Sequence, residues 1–299
     1  MLARLFVLSA FLVVEILLCR PTVSIAESLY VTSYDDPGGI YKISSSGGVS
    51  QFAGPANYFA SSGIAVDASG NVFETDQDGT VLYRFTPSGT RSTVTQIKGQ
   101  VVGLAFDSAG NLFGAQWETN GVYKFTSNAQ PVLFANATRP YALTFDAQGN
   151  LYVTNSPSLT APTASILKVA PDGSESVYAT GLIYPEGLAF DANGNLFVTQ
   201  GNATGEIDKI TPDGNLSVFA TGLFYPANLA FDSSGNLYEA DEYSGKIFKF
   251  SPDGTRSTFA SGLSHPVGLA FVPEPSAIVL TVFGALTLLV ILGARLWTR

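Results

Sequence analysis

The sequence has one cysteine, Cys19, and one histidine, His265, in 299 residues. Cys19 lies in an N-terminal segment with the features of an export signal, so the mature chain is expected to carry no cysteine. That leaves no disulfide, no thiolate nucleophile and no cysteine-ligated metal. His265 sits in Ser264-His265-Pro266, a loop setting, and no Gly-x-Ser-x-Gly elbow accompanies it to suggest a Ser-His-Asp triad. Positive charge is scarce as well: 15 basic residues face 24 acidic ones, a formal net charge of −9. Setting aside residues 1–26 and 273–299 removes Arg4, Arg20, Arg295 and Arg299 but only Glu15 and Glu274, leaving 11 basic and 22 acidic residues, or −11. Such an acidic surface argues against nucleic acid or anionic lipid as a partner. It is compatible with a divalent cation, a neutral sugar or a basic partner.

Both ends read as targeting segments. Arg4 precedes the largely apolar Leu5–Leu18, and Ser24-Ile25-Ala26 is a small-x-small site, so cleavage is expected after Ala26. Leu17 and Leu18 stand before Cys19 where a lipoprotein signal needs small residues. At the other end, Pro273-Glu274-Pro275 leads into an apolar run, Ala277 to Ala294, followed by Arg295 and Arg299. This is a membrane-spanning candidate of about minimal length with its basic residues on the cytoplasmic side. The expected organisation is a signal peptide over 1–26, a folded domain over 27–271 and a sorting segment over 272–299, with hydrophobic helices at the two ends.

The domain is repetitive. Gly187 to Pro226 reads GLAFDANGNLFVTQGNATGEIDKITPDGNLSVFATGLFYP, four strand-sized runs of β-branched and aromatic residues separated by turn residues. Asp191-Ala-Asn-Gly194 and Thr211-Pro-Asp-Gly214 suit type I turns. The same opening recurs at Gly63, Gly103, Ala142, Gly187, Asn228 and Gly268, at spacings of 40, 39, 45, 41 and 40 residues. Asp67, Asp107, Asp146, Asp191 and Asp232 each begin an Asp-x-x-Gly-Asn turn and are expected to serve the turn. A period near 40 with four strands per unit predicts propeller blades. Leu29-Tyr30-Val31-Thr32 matches the second strand of a unit, while Gly268–Phe271 is a first strand with nothing after it. The last strand is therefore predicted to complete the N-terminal blade, giving an all-β, six-bladed ring of four-stranded antiparallel blades without long exposed edges.

The pattern LAFDxxGNLYVTxxxxxxIxKxxPDG resembles the NHL and SMP-30/gluconolactonase-like six-bladed propellers, over residues 28–271. That group includes hydrolases, lyases and binding scaffolds, so the resemblance implies a fold rather than an activity. SMP-30-like lactonases hold one divalent ion at the channel mouth with Glu, Asn and Asp from different blades. Carried over, this implies Glu186 and Asn228 as ligands, completed by Asp76 or Asp241, with calcium or magnesium polarising a lactone carbonyl. The streptogramin lyases rely on a multi-histidine arrangement that the single His265 does not supply. The tail resembles the PEP-CTERM sorting signal of Gram-negative bacteria. It implies export across the inner membrane, transient anchoring, processing by an exosortase near the Pro-Glu-Pro triplet, and residence in the envelope or outside the cell.

In a meander the nearly identical Asp-x-x-Gly and Pro-x-x-Gly hairpins share one end of the ring. Variation is concentrated at the other end, including the long Ser156–Ser165 loop of the fourth blade, and a function is expected there. Tyr141, Glu186 and Asn228 open inner strands at that face. Ser33, Asp76, Gln116, Asn155, Gln200 and Asp241 end the second strands, and a polar residue recurring in every blade reads first as a loop cap. Trp117, Tyr141, Tyr184 and Tyr225 offer stacking surfaces for sugar rings. The expectation is a monomeric, exported binding module, with exopolysaccharide or envelope proteins as partners and no required cofactor. The alternative is a lactonase dependent on calcium or magnesium.

Overall fold

In the computed structural model, residues 27–33, 39–54, 60–76, 78, 80–126, 131–158, 163–201 and 205–272 are described. Ala26 and the export segment, Pro273-Glu274-Pro275, the apolar run over 277–294 and both expected terminal helices lie outside them. No helix among the described residues is long and apolar enough to cross a membrane.

Each repeat folds as the turn chemistry directs. In the fifth blade the strands are Pro185–Phe190, Leu196–Gln200, Glu206–Ile210 and Leu216–Ala220, paired in order and antiparallel. Asp191 ties the first hairpin: its Oδ1 accepts the Asn193 and Asn195 amides at 2.9 and 2.8 Å, and its Oδ2 accepts the Asn195 side chain at 2.7 Å. Asp67, Asp107, Asp146 and Asp232 make the same three bonds in their own blades. These five carboxylates are turn locks, as the repeat predicts.

The described strands form six four-stranded sheets. In the first, the C-terminal strand Pro266–Phe271 lies innermost against Leu29–Ser33, with Leu29 opposite Phe271 and Gly268 opposite Thr32. The closing strand is two residues longer than the expected 268–271. Val272 N donates to the Ser28 carbonyl at 3.2 Å, so the two ends of the domain leave together on the hairpin face.

The apolar core lies between blades rather than at the centre. An aromatic residue in the second strand of one blade meets the inner-strand phenylalanine of the next, edge to face. The pairs are Phe73–Phe106, Phe113–Phe145, Tyr152–Phe190, Phe197–Phe231 and Tyr238–Phe271, with ring centroids 4.8–5.2 Å apart. This arrangement explains the repeated Leu-Ala-Phe-Asp and Leu-Tyr/Phe-Val signatures, since each supplies one half of an inter-blade contact.

A second inter-blade device sits nearer the variable face. The inner strands slip register close to their starts, between Pro185 and Leu188 in blade five. The slip turns the Gly187 amide inward, where buried Thr199 accepts it at 2.7 Å and donates its own proton to the Ala227 carbonyl of the next inner strand at 2.7 Å. Thr75 likewise donates to Val101 of the next blade at 3.0 Å, and Thr154 accepts the amides of Tyr141 and Ala142.

Candidate functional site

The inner strands surround a central channel with a cavity of about 590 Å³, whose walls include Ile64, Leu104, Leu188 and Leu269. They approach so closely that a β-carbon at Gly187 would stand 2.5 Å from the Ala227 carbonyl oxygen. Glycine at Gly187, and at Gly103 where the Tyr141 carbonyl oxygen stands as close, is thus a packing requirement. At the variable end the lining becomes polar, with Tyr141, Glu186 and Asn228.

Glu186 is buried, and its side chain presses on Gly201 in the space a β-carbon would need. Burial first, and the charge of Glu242 second, push its carboxyl well above the ordinary range, opposed by a hydrogen bond from Tyr184. Tyr184 is raised by burial and then by Glu186, while Tyr225 is pushed up to about 12 by burial and then Glu186. Both phenols therefore stay protonated, and that of Tyr184 donates to Glu186.

Around this carboxyl runs an arc of aromatic rings. Trp117 meets Tyr141 at 5.9 Å and Tyr141 meets Tyr184 at 6.1 Å. Farther round, Tyr225 meets Tyr243 at 5.1 Å, and Tyr243 also touches Phe224 at 5.5 Å and His265 at 5.4 Å. Trp117, Tyr141 and Tyr184 thus form one contiguous run, and Tyr225 belongs to a second. Phe224 and Tyr243, with 63% and 50% of their surface exposed, are the most open rings of the arc and were not singled out by sequence reasoning. Their signal was faint, because the places that match Phe224 in the neighbouring connections hold Ile183 and Ser264, so no aromatic repeats there.

The polar residues ending the second strands behave as loop caps. Asp76 Oδ1 accepts the Thr80 and Val81 amides at 2.6 and 3.0 Å. Asp241 accepts Phe224 N at 2.7 Å and Ser244 N at 3.2 Å. Gln200 accepts Ile183 N at 2.7 Å, Asn155 accepts Thr138 N at 2.7 Å, Gln116 donates to the Lys98 carbonyl and Ser33 to the Ser264 carbonyl. Two of the four expected metal ligands, Asp76 and Asp241, are thus also loop caps. Glu186 and Asn228 share the channel mouth, but Asp76 and Asp241 hold their own loops, and Asn228 Oδ1 already accepts Leu229 N at 2.7 Å. Among the described residues no group of three or more Asp, Glu, His or Cys side chains is placed to hold a metal ion. Glu186 and Asn228 would leave most of the six to eight oxygen positions of calcium to backbone carbonyls and water.

No known protein family and no characterised protein sequence matches the chain. Solved structures do. A chain of a nidogen/laminin complex matches with a TM-score of 0.72 and 19% identity, over 83% of this chain and 98% of that one. A gluconolactonase from Xanthomonas campestris matches with a TM-score of 0.64 and 17% identity, over 83% and 91%. A streptogramin B lyase matches with a TM-score of 0.60 and 16% identity, over 83% and 89%. The likeness is one of fold. The same ring serves a hydrolase, a lyase and a component of a protein complex, so the choice among them rests on the mouth.

Proposed function

We propose that the protein is an exported propeller acting as a binding module in the cell envelope or extracellular polysaccharide matrix, with a saccharide held at the mouth of the channel. The observation that carries this reading is the aromatic arc from Trp117 through Tyr141 to Tyr184, running beside a buried carboxyl and protonated phenols. Aromatic faces flanking a few fixed hydrogen-bonding groups suit a ring compound bearing hydroxyls. The net charge of the domain favours an uncharged glycan over an anionic one. The N-terminal signal and Pro273-Glu274-Pro275 tail support export, passing anchorage in the inner membrane and processing by an exosortase. The test is a glycan array probed with the full chain and with Trp117→Ala. Retention of neutral glycans that the variant loses supports the reading, and retention indifferent to Trp117 contradicts it.

The second reading, a lactonase using calcium or magnesium, draws on Glu186 and Asn228 standing together at the mouth. It requires further oxygen donors from backbone or water. A melting temperature raised by calcium in the full chain, and not in Glu186→Gln, would favour it. At a hundred times the dissociation constant a ligand adds about 2.7 kcal/mol, which is readily measured.

A further inference from the structure

Among the described residues glycine fills most left-handed backbone positions, including places where the angle is the sole demand. The connections into the inner strands of blades five, six and one read Gly181-Leu-Ile-Tyr-Pro185, Gly222-Leu-Phe-Tyr-Pro226 and Gly262-Leu-Ser-His-Pro266, and each makes two left-handed residues. At the three glycines φ is 83°, 71° and 82°, and a β-carbon there would meet nothing within 4 Å among the described residues. They are glycine for the angle alone. Three residues on, Tyr184, Tyr225 and His265 hold φ of 53°, 67° and 42°, and Arg139 holds 43° at the matching place before Pro140. None of these types adopts that region without cost.

The ring itself does not demand a left-handed residue there: before blade three the matching residue is Gln100, whose carbonyl accepts Trp117 N as that of Tyr184 accepts Gly201 N, and the left-handed turn falls one residue earlier, at Gly99, with φ of 93°. A chain that uses glycine wherever the angle is enough has kept Arg, Tyr, Tyr and His in four consecutive blades. Strain retained at one face of a protein marks side chains needed for something other than the backbone path. Among the described residues the remaining non-glycine case, Asn120, lies on the same face and accepts Arg139 N at 2.9 Å.

We infer that Arg139, Tyr184, Tyr225 and His265 are the specificity-determining row of this face, displayed across the channel mouth to read successive rings of an uncharged saccharide chain. The two tyrosines lie in the middle of the row, within the aromatic arc, and stack on the apolar faces of sugar rings. Arg139 and His265 flank them and reach ring hydroxyls. This inference rests on the saccharide reading of the face and adds to it the residues that discriminate among sugars.

The test compares alanine and glycine at one position in the full chain, using Arg139 and Tyr225, with Tyr225→Phe as the conservative variant. Alanine removes the side chain and keeps the strain, whereas glycine removes both. Melting temperature and retention on an array of neutral oligosaccharides are measured together. The inference expects both truncations to weaken retention at least tenfold and to change which oligosaccharides are preferred, and Tyr225→Phe to stay within about threefold. It expects each glycine variant to melt above its alanine counterpart, by about 2 °C. Unchanged retention in the truncated variants overturns the inference. A wild-type chain that retains no saccharide overturns the ligand class together with the reading beneath it. The melting order then still decides the display argument alone: glycine above alanine supports it and the reverse overturns it.

Discussion

Glu186 is seated on Gly201: a β-carbon at Gly201 would stand 2.5 Å from the Glu186 carboxyl carbon. Gly201 cannot drift away, since its amide donates to the Tyr184 carbonyl at 3.0 Å. Gly201→Ala is therefore expected to push Glu186 off its seat, weakening glycan retention at least tenfold and costing about 1–3 kcal/mol from overpacking. In a Glu186→Ala background the same substitution should cost less, because the room then exists. A double-mutant cycle by thermal melting measures the coupling, and strict additivity would show that the two do not touch in solution.

Thr199→Val should weaken the ring at the site. The swap keeps shape but leaves the Gly187 amide and the Ala227 carbonyl without the hydroxyl that joins them across two blades. A loss of about 2 kcal/mol or more is expected in denaturant unfolding. A loss below about 0.5 kcal/mol would mean that water replaces the hydroxyl.

Glu239 is fully buried on the second strand of blade six, and neither of its carboxyl oxygens has a hydrogen-bond partner among the described residues. Burial first and Asp241 second push its carboxyl well up, with Arg256 opposing. A raised folded-state value means that stability is fully present below the unfolded value of about 4.3 and is lost as pH rises through the folded one. Glu239→Leu should thus stabilise the domain near neutrality, by about 1–3 kcal/mol, and do less near pH 4. Unfolding curves at the two pH values test this, and destabilisation at both would mean that the carboxyl has a partner.

Asp208 titrates within reach of ordinary buffers. Burial, and then Glu206, raise it to about 6, while the Gln200 amide donates to it at 2.6 Å. By the same sign rule, stability is fully present below about 3.9 and falls until the pH passes about 6. Asp208→Asn keeps an acceptor for Gln200 and should flatten the pH dependence between those values. An unchanged slope across that window would assign the dependence to other groups.

Much of the ring was legible because it is written in local chemistry. The Asp-x-x-Gly-Asn turns need only residues within five positions of one another, and the unmatched Leu29–Thr32 and Gly268–Phe271 could be paired by subtraction. The loop-capping role of Gln200 and Asn155 could also be read, since a polar residue at the same place in every blade points to the backbone. What the sequence concealed depends on neighbouring blades. That Asp76 and Asp241 also cap loops, through Thr80, Val81 and Phe224, shows only once the connections are folded. The bridging role of Thr199 requires knowing that the inner strand slips at Gly187. Tyr243 joins the arc only because its loop folds beside Tyr225, with Glu242 N donating to the Tyr225 carbonyl at 3.1 Å.

The central claim is that a saccharide lies on the arc at the channel mouth, and Trp117 reports on it directly. The chain has two tryptophans, and the second, Trp297, is in the C-terminal tail. In full-chain Trp297→Phe protein the indole emission therefore comes from the mouth alone. Titration with neutral oligosaccharides is predicted to shift and quench that emission saturably, and the change should disappear when Tyr184 is replaced by alanine. Emission that stays flat across the neutral series, in protein whose melting temperature calcium raises, would contradict the account and favour the metal-dependent hydrolase.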